Sequence, residues 1–214
     1  MSKVRVLGFS VSLDGYGAGP EQSLEHPFGK GGMELPQWLM GTKTFNTMIG
    51  EQGGSTGVDD RYAAASLQGF GAFIIGRNMF GPLRGEWPDE NWKGWWGDNP
   101  PYHTPVFVLT HHARPSIEME GGTTFHFVTE GADEALKRAK AAAGKLDVKI
   151  GGGVETVRHY LRTGAIDDMH LAISPVLLGK GEALFAGLDL PALGYQVTAR
   201  ETTDLATHVV LEKR

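Results

Sequence analysis

LDVKIGGGVETVRHYL, residues 146–161, joins two kinds of periodicity at three consecutive glycines. Before them, Leu146, Val148 and Ile150 alternate with charged Asp147 and Lys149, the two-residue repeat of a strand. After them, Val154, Val157, Tyr160 and Leu161 recur at helical spacing. A strand over 146–150, a turn at Gly151, Gly152 and Gly153, and a helix over 154–163 are therefore predicted. At such a junction the first backbone N–H groups of the helix lack partners, and the helix dipole adds roughly half a positive charge. Glycines let a pyrophosphate approach that backbone closely, whereas the plainer alternative is a tight turn needing positive φ. Three in this context favour phosphate. The stretch lacks the Lys-Ser/Thr pair of a P-loop, and it lies late in the chain, without an early Gly-x-Gly-x-x-Gly unit.

Working outward, VRVLGFSVS (4–12) reads as an opening strand, followed by a long glycine- and proline-punctuated loop of the kind that forms lids or binding sites. DDRYAAASL (59–67) reads as a short helix feeding a buried strand, AFII (72–75), and then a turn with a brief helix at 76–85. Residues 86–105 are polar, tryptophan-rich and broken by prolines, an irregular excursion. PVFVLT (105–110), FHFVTE (125–130) and DDMHLAIS (167–174) are strand-like, ADEALKRAKAAAG (132–144) is helical, and the tail from Gln196 reads as two strands and a turn. Strands alternating with helices imply an α/β fold with a mostly parallel central sheet flanked by helices, and antiparallel edge strands at the C-terminus. No boundary interrupts this order, so residues 1–214 are expected to form a single domain.

Composition narrows the function. A net charge of -5 argues against a general nucleic-acid surface, and no apolar run approaches membrane-spanning length. The N-terminus reads as untargeted chain, and the lack of cysteine excludes disulfides and thiolate chemistry and fits the cytoplasm. The 31 glycines follow no fixed period, which suggests turns and close backbone approaches rather than a repeat protein. His111-His112 reads as a polar turn, not a metal site, and no metal is expected.

The ordered set GRNMF, LTHHARP, FVTEGADEAL, IGGGVETVRHYL and IDDMHLAISPVLLGKGEALF resembles the dihydrofolate reductase-like family. It is most similar to the reductase domain of riboflavin biosynthesis and its stand-alone relatives, with SLDGYGAG (12–19) and SPVLLGKGEALF (174–185) as the hallmarks. The resemblance covers nearly the whole chain and is weakest in 20–58 and 86–104. It implies NADPH across the strand ends. Gly151, Gly152, Gly153, Val154, Glu155 and Thr156 would cradle the pyrophosphate, with Gly76, Arg77, Asn78 and Met79 against the other side of the cofactor. Thr110, His111 and Arg114 would take the adenosine 2'-phosphate, and Gly17 and Ala18 would lie near the nicotinamide. Folate reductases often place an arginine after the glycine triplet; here Val154 stands there, so preference for NADPH rests on Arg77 and the 110–114 loop.

Reduction of a C=N bond is helped by a proton donor. The resemblance puts Asp60, or its neighbour Asp59, at the helix start where folate reductases carry this group; ordinary capping is the competing role. Asp14, in SLDG, either forms a turn with Gly15 or shapes the substrate side of the cleft. Trp87, Trp92, Trp95 and Trp96 would wall a planar substrate, pack in the core or meet a second subunit, and a homodimer is expected. The expected activity is NADPH-dependent hydride transfer to a small heterocyclic or carbonyl substrate, of pterin or ribosylaminopyrimidine type. A complete bifunctional riboflavin enzyme is not expected, because no deaminase segment with zinc ligands accompanies the reductase pattern. The rivals are a dinucleotide-binding module that catalyses nothing and a structural dimer with an empty cleft.

Overall fold

A computed structural model describes residues 2–89 and 91–214. Its strands are β1 (Val4–Ser12), β2 (Tyr16–Ala18), β3 (Phe70–Gly76), β4 (Pro105–Leu109), β5 (Ile117–Glu118), β6 (Thr124–Val128), β7 (Asp147–Gly152), β8 (Asp168–Ser174), β9 (Glu182–Ala183), β10 (Tyr195–Thr202) and β11 (Thr207–Lys213). The α-helices are α1 (Gln37–Met40), α2 (Lys43–Met48), α3 (Val58–Ala65), α4 (Arg77–Phe80), α5 (Ala132–Ala143) and α6 (Val154–Arg162).

Among the described residues one nine-stranded sheet runs in the order β10-β11-β8-β1-β7-β3-β4-β6-β5. β8, β1, β7, β3, β4 and β6 are parallel, as the alternation of strands and helices requires. The C-terminal antiparallel edge is present, with β11 on β8 and β10 on β11. A second antiparallel edge, β5 on β6, is too short to read from sequence. The strand carrying the glycines lies in the middle: β7 sits between β1 and β3, with Val148 opposite both Val4 and Ala72.

Alternation along the strands divides the core. Val4, Val6, Ile74, Val148 and Ile150 face one side, packed with Ala135, Ala139, Val157 and Leu161 of α5 and α6. Tyr160 of α6 is fully buried there, and its hydroxyl donates to Ala132 O at 2.7 Å, so the polar end of a large apolar ring is satisfied. Phe73, Ile75, Val106 and Phe125 face the other side with Phe80, Trp87 and Trp92. A register shift in β1, where Gly8 adopts φ 74°, turns Ser10 toward Trp38, whose Nε1 donates to Ser10 Oγ at 2.8 Å. This bond and the burial of Trp38 fix α1 against the sheet.

The segment from Leu13 to Gly57 is more ordered than its sequence suggests. β2 pairs with β9, a short helical turn forms at Gly32–Glu34, and α1 and α2 follow. The Thr42 side chain caps α2 by accepting from Phe45 N. Residues 86–104 form turns and bends without a helix or strand among the described residues, as expected; Glu90 lies outside that set.

Candidate active site

The carboxyl ends of β1, β3, β4, β6 and β7 open onto one cavity of about 980 Å³. At its centre β7 ends at Gly152, the Gly152–Gly153 peptide is cis, and Gly153 caps α6 without a side chain. The first bond within α6 runs from Val157 N to Gly153 O at 3.1 Å. The N–H groups of Val154, Glu155 and Thr156 are therefore left at the helix end, where the dipole is positive. A Cβ added at Gly153 would meet nothing within 4 Å, so this backbone faces open space. Close approach dictates two other glycines: a Cβ at Gly76 would lie 2.6 Å from Thr156 Oγ1, and one at Gly17 2.7 Å from Val154 Cγ2.

Cationic and aromatic groups flank this edge. The Arg77 guanidinium lies 3.9 Å from the Trp87 ring centroid and donates to the carbonyls of Gly85 and Glu86. Arg114 approaches the same ring at 5.1 Å. His112 Nδ1 is 3.1 Å from Glu86 Oε1, and the Thr110 hydroxyl accepts from His112 N at 3.2 Å, closing the turn after β4. Glu155, Glu182 and Arg84 also line the cavity. Burial, with the Glu155 charge nearby, raises the Glu182 carboxyl above its usual range, and Arg84 opposes the shift.

From the strand ends the cavity continues onto the face of the sheet that carries Phe73, Ile75 and Lys149. Leu35, Leu39, Met40 and Phe45 from the α1–α2 region and Trp95, Trp96 and Tyr102 from the excursion also line it. Burial holds the Tyr102 phenol up at about 12, so it stays neutral. Lys149 is 9% exposed, and its Nζ donates to Ser66 O. Burial pushes its ammonium down to about 7.

The model of the RibD C-terminal domain family matches residues 4–211. This chain belongs to that family. Among solved structures, the RibD C-terminal fold here is similar to a putative riboflavin biosynthesis protein from Shewanella sp. PV-4, at 22% identity and TM-score 0.58, covering 100% of this chain and 99% of that one. It is also similar to a Thermotoga maritima diaminohydroxyphosphoribosylaminopyrimidine deaminase/5-amino-6-(5-phosphoribosylamino)uracil reductase, at 11% identity and TM-score 0.54. That match covers 100% of this chain and 57% of the Thermotoga chain. A pyrimidine reductase-like protein from Corynebacterium diphtheriae matches at 12% identity and TM-score 0.50, over 99% of this chain and 91% of that one. Among curated proteins, the uncharacterized YwjB of Bacillus subtilis is 37% identical over 59 residues, spanning 28% of this chain and only 33% of that protein.

The RibD C-terminal chain brings most of the expected cofactor residues to one place: Gly17, Ala18, Gly76, Arg77, Asn78 and Met79 line the cavity together with Thr110, His111, Gly151, Gly153, Val154, Glu155 and Thr156. Gly152 sits at the end of β7 with φ 127°, and Arg114 packs on Phe80, Trp87 and Phe127; neither lines the cavity. The three aspartates stand apart from it. Asp60 Oδ1 accepts from Thr44 N at 2.7 Å, tying α3 to the first turn of α2. Asp59 accepts from His208 Nε2 at 2.7 Å and from the Thr203 hydroxyl at 3.0 Å. Asp14 accepts from the Ser12 hydroxyl and from the backbone of Leu178 and Gly179, which holds its carboxyl below its usual range. Asp60 thus stands at a helix start, as expected, but its carboxylate is engaged in joining two helices. Of the tryptophans, Trp95 and Trp96 line the cavity, whereas Trp87 and Trp92 pack against the core and donate to His112 O and Phe80 O.

Sequence reasoning missed Lys149, Arg84 and Glu182. Lys149 was visible only as the polar member of an alternating pair, which ordinarily marks a solvated face. Among the described residues no cluster of His, Asp and Glu could hold a metal ion, and no helix is long and apolar enough to cross a membrane.

Proposed function

We propose that this chain is a single reductase domain over residues 1–214 that uses NADPH to reduce a small heterocyclic or carbonyl substrate. The observation that carries the reading is the helix end at Gly153. Its outward N–H groups and side-chain-free backbone face a cavity formed by the carboxyl ends of parallel strands, where ligands of open α/β sheets collect. When bound, the nicotinamide would supply the hydride. Val154, Glu155 and Thr156 would hold the pyrophosphate through their N–H groups, with Gly76 and Gly17 permitting the close approach. Arg77, Thr110 and His111 would meet the 2'-phosphate, while Gly152 supports the turn and Arg114 orders the Trp87 wall behind Arg77. Gly17, Ala18, Asn78 and Met79 would line the path toward the substrate. Family membership and likeness to proteins described as reductases support the same class.

We further propose that the protein acts in the cytoplasm as a homodimer. A chain without cysteine suits a reducing compartment, and exposed Leu177 and Val197 offer apolar area to a second copy. One observation favours the rival of a dinucleotide-binding module without catalysis: none of Asp14, Asp59 and Asp60 lines the cavity.

A thermal-shift titration with NADPH, NADH and FMN, followed by a screen for NADPH oxidation, separates the readings. Stabilisation by NADPH well above NADH, with oxidation on any pterin or aminopyrimidine, is expected. Binding without oxidation of any candidate supports the module, and no shift with any of the three removes both.

A further inference from the structure

We propose that Lys149 determines substrate choice by receiving an anionic oxygen, such as a carboxylate or phenolate, of a flat and otherwise apolar molecule bound against the sheet face. The inference deepens the reductase reading, resting on it only for what the bound molecule then undergoes.

Four observations support it. First, strand alternation places Lys149 on the face opposite Val148 and Ile150, and on the same face as Gly151, about 7 Å along the strand. The ammonium therefore belongs to the same cavity as the glycine turn. Second, an ammonium has three donors, and among the described residues Lys149 makes one hydrogen bond, to Ser66 O, and no ion pair. A buried cation without a counter-charge is costly, and a ligand that brings one removes that cost.

Third, among the described residues no group near Nζ supplies the missing charge. The rings of Phe70 and Phe73 lie 5.7 and 5.8 Å from Nζ, and the nearby imidazole of His170 is held neutral by burial. Tyr102, which lines the same cavity, also stays neutral. Fourth, the other polar side chains of this region are already engaged. Ser10 Oγ accepts from Trp38, Ser66 Oγ donates to Ala63 O, and the Gln22 amide bonds Asn78 and Pro27 O. With Leu39, Met40, Phe45 and Trp95 forming the remaining wall, this part of the cavity offers, among the described residues, the Lys149 cation in a largely apolar setting, with Arg77 and Arg84 lining the same cavity elsewhere. A phosphorylated sugar needs many donors and fits it poorly; an aromatic or conjugated acid fits it well.

The test is calorimetric titration of the full chain, with and without NADPH, using 2-naphthoate and its neutral isostere 2-naphthamide. In the wild type, naphthoate should bind about tenfold or more tightly than naphthamide, the worth of a charge-assisted hydrogen bond. In Lys149→Met and Lys149→Gln the preference should vanish while naphthamide binds much as before. Equal affinities in the wild type, a preference retained in both variants, or no binding of naphthoate would each overturn the proposal. NADPH binding is measured separately, so its absence would count against the reductase reading and leave the naphthoate result to stand by itself.

Discussion

His208 Nε2 lies 2.7 Å from the Asp59 carboxylate although 149 positions separate the two residues. The contact ends a buried chain. Gly8 N donates to His170 Nδ1 at 3.2 Å, so His170 carries its proton on Nε2, which is 3.0 Å from His208 Nδ1; His208 in turn donates from Nε2 to Asp59. Both imidazoles stack on Tyr62, at 4.1 and 4.5 Å, and meet the edge of Trp38. The arrangement joins α3 and α1 to β1, β8 and β11, with His170 held neutral by burial.

Neutrality makes this corner sensitive to acid. Burial, then the neighbouring His208 and Lys149, depresses His170 to about 3. The unfolded chain therefore takes up a proton below about 6.5 that the folded chain refuses, and the stabilisation is lost as pH falls from 6.5 toward 3. Urea unfolding at pH 7 and 5.5 should show a loss of roughly 1 kcal/mol, absent in His170→Gln. Equal stability of the wild type at both values would show that His170 is not kept neutral.

Lys149 gives a second pH dependence in another window. Its folded value near 7 lies below the ordinary 10.5, so between these values the unfolded chain binds the extra proton and stability climbs with pH. Lys149→Met should be more stable than the wild type by a few kcal/mol at pH 6, with the gain shrinking toward pH 10. A gain that does not change with pH would mean that the ammonium is solvated.

Asp60→Ala removes the acceptor for Thr44 N, an unsatisfied helix-start donor, and should cost about 1 kcal/mol in thermal or urea unfolding. Affinity for NADPH and turnover by Asp60→Asn should match the wild type. A large fall in turnover with normal binding would instead restore Asp60 as the proton donor.

Gly76→Ala tests the cradle. The added Cβ would lie 2.6 Å from Thr156 Oγ1 and 3.3 Å from Gly153 N, forcing the ends of β3 and α6 apart. Affinity for NADPH should fall by about tenfold or more, a loss of one to two charge-assisted hydrogen bonds, while the far-UV spectrum is kept. Unchanged affinity would mean that the dinucleotide does not use this edge.

The elements that sequence made legible are those whose signal is local and long enough. β3, β4, β6, β7 and β8 carry apolar runs or clean alternation, and α5 and α6 carry helical spacing with glycine at a boundary. The glycine turn and its helix end were legible for the same reason. α1 and α2 were not, because four and six residues hold too little periodicity to rise above a loop. β2 and β9 are held by each other rather than by their own pattern. Lys149 escaped because alternation tells which residues share a face but not what covers it, and here the second face lies under α1–α3 and the tryptophan-rich excursion. The partners of Asp59 and Asp60 were hidden by distance along the chain, which no local pattern encodes.

The insertion of β7 between β1 and β3 has a kinetic consequence. Val148 pairs with Val4, so the central ladder closes a loop of more than half the chain, and such non-local pairing slows folding. On the ribosome, the nascent chain lacks the glycine turn until β7 and α6 have emerged, long after β1, β3 and β4. Under the proposed reading a dinucleotide site therefore forms only once β7 has entered between β1 and β3, while β8, β10 and β11 are added from chain made later still.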